Sequence, residues 1–142
     1  MVPTYDPKLV ILTLGEIFVS GYAEGSMVEV ARDGDSFTKY VGGDGEVSRV
    51  KNRNRSGTVT VTLSQTSLTN DEFSALLAAD ELFGTGVRPL RLNDMSGNTI
   101  VGADRAWIRK PADSGFATTM GTRQWVIDCA FLQPFVGGAP AV

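Results

Sequence analysis

Few residues in this chain could carry chemistry, and their types restrict what that chemistry could be. The sequence holds no histidine and a single cysteine, Cys129. That excludes serine or cysteine nucleophiles served by an imidazole base, zinc sites built on histidine or several thiolates, and an intrachain disulfide. Carboxylate chemistry remains, and its obvious cluster is Asp33, Asp35, Asp44 and Glu46. Two carboxylates cleave glycosides as acid and base when their surroundings push their pKa values apart. Here the four sit among glycines with few apolar neighbours, where little would desolvate them, so solvated loop carboxylates are the favoured reading. Asp33-Gly34-Asp35 opens like a calcium loop, but the closing glutamate and flanking helices are missing. Gly42-Gly43-Asp44-Gly45 precedes neither a lysine with serine or threonine nor a helix, so it reads as a turn and not a phosphate cradle. No catalytic residue, cofactor, metal or small-molecule substrate is expected.

A stronger signal is cationic. Arg49, Lys51, Arg53 and Arg55 recur at every second position, which places them on one side of a strand. Such a stripe could track phosphates, although it lacks the interleaved aromatics usual for single strands. The preceding residues carry Asp33, Asp35, Asp44 and Glu46 against Lys39 alone, so the segment is acidic in its first part and basic in its second. That pattern suits a surface meeting a copy of itself head to tail, with charge fixing register more than affinity. Arg105, Trp107 and Arg109 also alternate, and an edge-strand surface or subunit contact is favoured there over a nucleotide platform.

The elements that position these residues follow from length and periodicity. With 142 residues, 42% apolar and 20% charged, the chain suits one domain, 1–142, with its own core. The net charge of -3 argues against a surface that grips nucleic acid all round. No apolar run approaches membrane-spanning length, and residues 1–7 lack a basic then apolar leader, so a soluble protein made inside the cell is expected. Sixteen glycines, against a usual ~7% of residues, imply many turns and short strands. Strands are expected over 9–14, covered on both sides, then 16–20 after a turn near Gly15, and 27–32. Residues 33–57 read as a long polar hairpin. Over 58–65, Val59, Val61 and Leu63 alternate with Thr58, Thr60, Thr62 and Ser64, giving one core face and one uncharged polar face.

A single helix, about 70–83, is expected to open on a capping box of Thr69 and Glu72. Phe73, Leu76, Leu77 and Phe83 would form its buried stripe, and Gly84 its stop. Asp80 intrudes on that stripe, through a displaced last turn or an arginine partner. Strands at 87–93, 99–110 and 123–133 complete the chain. In the last, Trp125, Ile127, Cys129 and Phe131 share a face, which makes Cys129 a buried small hydrophobe. Pro134 and the tail Gly137-Gly138-Ala139-Pro140 would end the packed region. The expected fold class is mainly β, a barrel or sandwich with one flanking helix and a long protruding hairpin.

From Asp35-Ser36-Phe37-Thr38-Lys39-Tyr40-Val41 through Gly42-Gly43-Asp44-Gly45-Glu46-Val47-Ser48-Arg49, then Asn52, Asn54, Arg55, Ser56 and Gly57, the sequence closely resembles tail tube proteins of contractile-tailed bacteriophages. Tyr5-Asp6-Pro7, residues 59–66 and 70–80, and the strand through Cys129 follow in that family's order. The resemblance implies a subunit related in fold to the type VI secretion tube, forming hexameric rings that stack into a conduit for double-stranded DNA. It implies sheath, baseplate and tail-terminator partners, a place in the virion tail, and assembly in the host cytoplasm. It makes the hairpin the stacking arm, with Asp35, Phe37, Lys39, Tyr40, Asp44, Glu46, Arg49, Lys51, Arg53 and Arg55 at subunit contacts. A conduit must not hold its cargo, so the uncharged row Thr58, Thr60, Thr62 and Ser64 is the first candidate for the lumen wall. The alternative is a nucleic-acid-binding β module using the basic stripe.

Overall fold

The computed structural model describes residues 2–25 and 27–138. Its strands are β1 (Val10–Leu14), β2 (Ile17–Phe18), β3 (Val28–Arg32), β4 (Phe37–Val41), β5 (Val47–Lys51), β6 (Gly57–Ser64), β7 (Arg88–Asp94), β8 (Ile100–Ile108), β9 (Thr122–Cys129) and β10 (Leu132–Phe135), with one α-helix, α1 (Thr69–Phe83). Among the described residues, one antiparallel sheet runs β2-β1-β7-β8-β9-β6-β3, with β10 also on β8, and β4-β5 stand apart as a two-stranded sheet. The fold is mainly β, as expected, but the sheet bends over on itself as an open sandwich and does not close into a barrel.

The bend has a local cause. Ala106 pairs with Cys129 and Ala103 with Leu132, all four buried, so inward-facing residues on both strands are three apart where alternation would make them two. On the other side of β8, Arg88 pairs with Ala106 and Leu90 with Ala103, so Asp104 and Arg105 bulge opposite Pro89. A bulge sharpens the local twist and re-aims the side chains beyond it. The expected strand over 123–133 therefore divides into β9 and β10, and Phe131 turns outward at the division while Trp125, Ile127 and Cys129 stay buried. Pro134 lies inside β10, opposite Val101, on an edge that can spare its N–H. Gly137 is still held, its N–H donating to Thr99 Oγ1 at 3.2 Å, so packing outlasts Pro134. Ala139 and Pro140 lie outside the described residues.

Two walls of the sandwich meet over one core. Leu12, Leu14, Leu90, Val101 and Leu132 come from one wall, and Val59, Val61, Leu63, Ile127 and Cys129 from the other. At the crossing Gly57 leaves no room for a side chain: a Cβ there would lie 2.3 Å from Leu132 Cδ2 and 2.8 Å from the Ala31 carbonyl oxygen. The Arg32 guanidinium closes the same corner by donating from Nε and Nη2 to the Leu132 carbonyl at 3.1 and 2.9 Å. The hairpin at Gly15 forms as expected, with Leu14 opposite Ile17. β1, however, is covered on one side only. Leu12 and Leu14 are buried, Ile11 is exposed, and Leu9 belongs to a 3-10 turn over Pro7–Leu9.

The helix seats Phe73 and Leu77 in the core. Its capping box does not form, because Leu68 occupies the cap position and Thr69 is already helical. A tertiary contact wins instead: Thr69 Oγ1 accepts from the Ser20 N–H at 3.0 Å, and Ser67 Oγ accepts from the Thr69 N–H at 3.2 Å. Gly84 ends the helix in the left-handed conformation, φ 67°, where a Cβ would be strained. Phe83 leaves the expected stripe and is exposed, since the helix ends there. Asp80 meets neither reading of the sequence; its Oδ1 accepts from the Gly86 N–H at 3.0 Å and ties down the chain after the helix.

Candidate assembly surfaces

The β4-β5 arm is built by strict pairing. Phe37 opposes Lys51, Lys39 opposes Arg49 and Val41 opposes Val47 on one face, with Thr38 against Val50 and Tyr40 against Ser48 on the other. At the tip, the Gly42 N–H donates to the Glu46 carbonyl at 2.8 Å and Asp44 Oδ1 accepts from the Glu46 N–H at 3.1 Å. Every residue of both strands is exposed, including Tyr40 and Val47 at 62% each. An isolated two-stranded ribbon is marginal in water. This one carries five large apolar side chains into solvent.

The base of the arm explains where the basic stripe breaks. Asn52 Oδ1 accepts from the Asn54 N–H, and Asn54 Oδ1 from the Ser56 N–H, each at 3.0 Å. These local bonds compete with the strand ladder, and β5 stops at Lys51. Arg49 and Lys51 therefore share a strand face, whereas Arg53 and Arg55 lie in the turns beyond. The spacing Asn52, Asn54, Ser56 was a readable signal of this, and the alternating cations hid it. Asp33 braces the other side of the base: Ser56 Oγ donates to Oδ2 at 2.8 Å and Thr58 Oγ1 to Oδ1 at 3.1 Å. It is thereby separated from Asp35, Asp44 and Glu46 by role as well as position. Among the described residues, no group of three or more acidic, histidine or cysteine side chains could hold a metal ion.

The second surface is the outward face of β6. Thr58, Thr60, Thr62 and Ser64 are half-buried and flanked by Glu29 and Ala31 of β3 and by Thr122, Gln124, Val126 and Asp128 of β9. The Asp128 carboxylate is neutralised by Arg109, which donates from Nε at 3.0 Å and Nη2 at 2.7 Å. That hydrogen bond holds the guanidinium above its ordinary pKa. Trp107 pairs with Asp128 across the strands, so the aromatic of β8 and the cation just beyond its end belong to this face. The wall is polar, nearly neutral and without an unpaired cation on β6.

Cys129 is 1% exposed, and burial first, then the charges of Asp128 and Asp33, push its thiol up to about 11. It is inert packing, as the alternation implied.

The architecture has close counterparts. A chain of the PVC sheath-tube complex, an extracellular contractile injection system in its extended state, superposes with a TM-score of 0.63 at 11% identity, covering 93% of this chain and 91% of that one. A chain of the anti-feeding prophage tube-terminating cap gives 0.60 at 12% identity, covering 95% and 93%. The fold is thus one shared with chains of these two assemblies. In sequence, Structural protein ORF10 of Pseudomonas phage KPP10 is 35% identical over 132 residues, 87% of this chain and 76% of that protein. Residues 8–137 match the family model described as the bacteriophage PhiTE tail tube protein. The chain belongs to that phage tail tube family, and it is a structural component of the virion.

Proposed function

We propose that copies of this chain close into six-fold rings, and that the rings stack through the β4-β5 arm into the hollow tube through which double-stranded DNA leaves the virion. The observation that carries this reading is the arm itself, ten strand residues all exposed in the isolated chain, with large apolar side chains on both faces. Such a ribbon is ordered economically only when covered, and polymerisation covers it. Ring closure would likewise pair β3, one of the free edges of the large sheet. The outward face of β6 then lines the lumen, where neutrality lets DNA slide. Sheath, baseplate and terminator proteins are the further partners; the sheath-tube complex and the terminating cap that share the fold support two of them. No catalytic step is assigned.

The test is negative-stain electron microscopy of the purified protein over a wide concentration range. Six-fold rings or hollow tubes are the expected result. Monomers at every concentration, together with DNA binding that falls steeply with salt, would replace this reading by the nucleic-acid-binding one. The break in the basic stripe after Lys51 counts against that alternative.

A further inference from the structure

We propose that the arm docks on the outward face of α1 in a second copy of the chain, with the face bearing Phe37, Lys39, Val41, Val47, Arg49 and Lys51 lying along the helix. The inference rests on the stacking-arm reading and names its acceptor.

The arm supplies the first half of the argument. The strand register gathers three apolar residues and three cations on one face and no acid. Lys39 and Arg49 stand directly opposite each other, an arrangement that costs stability in a lone ribbon. Among the described residues, the ion pairs are Arg109 with Asp128 and Lys110 with Asp113, so neither arm cation has a carboxylate of its own chain. Arg49 instead covers the Phe37 ring, its guanidinium carbon 4.2 Å from the centroid. The face is therefore shaped for a partner that is apolar and acidic.

The helix supplies the second half. It carries Asp71, Glu72, Asp80 and Glu81 and no base. Opposite its buried stripe runs a second one, Asp71, Ala75, Ala78 and Leu82, at the i, i+4, i+7, i+11 spacing of a single helix face. All four are exposed, Leu82 at 77%, with Glu72 and Glu81 exposed on the flanks. A helix apolar on two sides is one that becomes covered on both. Alanines at the centre let a flat ribbon approach closely while the flanking carboxylates reach its cations. The lengths agree as well: fifteen helical residues span about 22 Å and each five-residue strand about 17 Å. Arm and helix are both uncovered in the single chain, so the pairing needs a second molecule.

The experiment exchanges the charges. Lys39→Glu with Arg49→Glu reverses the arm, and Asp71→Lys with Glu81→Lys reverses the helix. All four positions are exposed, and circular dichroism with thermal melting checks the fold of each variant. Each reversal alone should raise the concentration needed for tube growth about tenfold or more, and the chain carrying both should recover it. Normal growth of the helix-reversed chain, beside failure of the arm-reversed one, would overturn the acceptor and leave the stacking arm standing. Normal growth of the arm-reversed chain would remove both. A second measurement does not depend on tubes: the full chain with Lys39→Cys and Ala78→Cys, mildly oxidised, should give a covalent ladder beyond the dimer, since Cys129 is buried. A ladder without tubes keeps the docking and removes the hollow tube. Absence of a ladder overturns the docking.

Discussion

The indole Nε1 of Trp125 on β9 donates to Asn70 Oδ1 in the first turn of α1 at 2.9 Å, joining the helix to the β6-β9 wall of the sandwich. Asn70 also donates from Nδ2 to the Ser64 carbonyl at 3.0 Å, so one side chain terminates β6 and orients the helix. Phe73 meets the same indole edge-on, with centroids 5.4 Å apart. Asn70→Ala leaves the indole N–H without its partner, which costs about 1–3 kcal/mol. It should lower the Tm by about 3–8 °C, read by differential scanning fluorimetry. Ser74→Ala, exposed on the same helix, should stay within about 2 °C of the parent. Equal effects of the two would deny Asn70 this role.

Gly57 sits where the two walls cross, facing Leu132 and the Ala31 carbonyl. A methyl group there overpacks the corner, and such insertions cost about 1–3 kcal/mol. Gly57→Ala should therefore be less stable in urea, and the same substitution should cost less in a Leu132→Ala background, where the room exists, although Leu132→Ala is itself destabilising. An equal cost in both backgrounds would place the strain at the Ala31 backbone instead.

Much of the fold was legible because local and tertiary demands coincide. Val59, Val61 and Leu63 alternate with hydroxyl residues, and their strand is buried on that side alone. Gly84 stops the helix because only the left-handed conformation fits there. What was not legible lies where a distant partner overrides a local preference. Thr69 looks like a cap, yet the Ser20 backbone from across the fold holds its hydroxyl. The shift in phase at Cys129 and Leu132 is shared with Ala103 and Ala106, and a single-strand pattern cannot show a bulge that two strands carry together. On the arm, alternation of Arg49, Lys51, Arg53 and Arg55 described spacing correctly. The asparagines between them set where the strand ends.

Cys129 makes stability depend on pH in a defined direction. Its thiol is raised from 9.0 to about 11, chiefly by burial. A raised folded-state pKa favours the neutral form, so this stabilisation is complete below about pH 9 and is lost as pH rises through about 11. Two pKa units correspond to about 2–3 kcal/mol. Tyr22, raised by burial from 10.0 to about 12, adds a loss beginning about one pH unit higher. Urea midpoints should thus be level from about pH 7 to 9 and fall above it, and Cys129→Ala should postpone the fall. A midpoint that stays level through about pH 11 would contradict the burial argument.

The outward face of β6 makes the last prediction, because lumen and solvent demand different things of it. Thr60 lies between Glu29 on β3 and Val126 on β9, half-buried and directed away from the core. Thr60→Arg should therefore fold and assemble. If six copies per ring place that arginine against passing DNA, every ring contributes several phosphate contacts. Each neutralised phosphate steepens the logarithmic salt dependence by about 0.9. Virions carrying Thr60→Arg should then eject DNA more slowly than the parent, measured by dye fluorescence after triggering, and added salt should restore much of the rate. Thr60→Glu, which repels phosphate, should eject at the parental rate. Unchanged ejection by the arginine variant at low salt, in tubes of normal appearance, would mean that β6 faces away from the DNA and that another wall of the sandwich lines the channel.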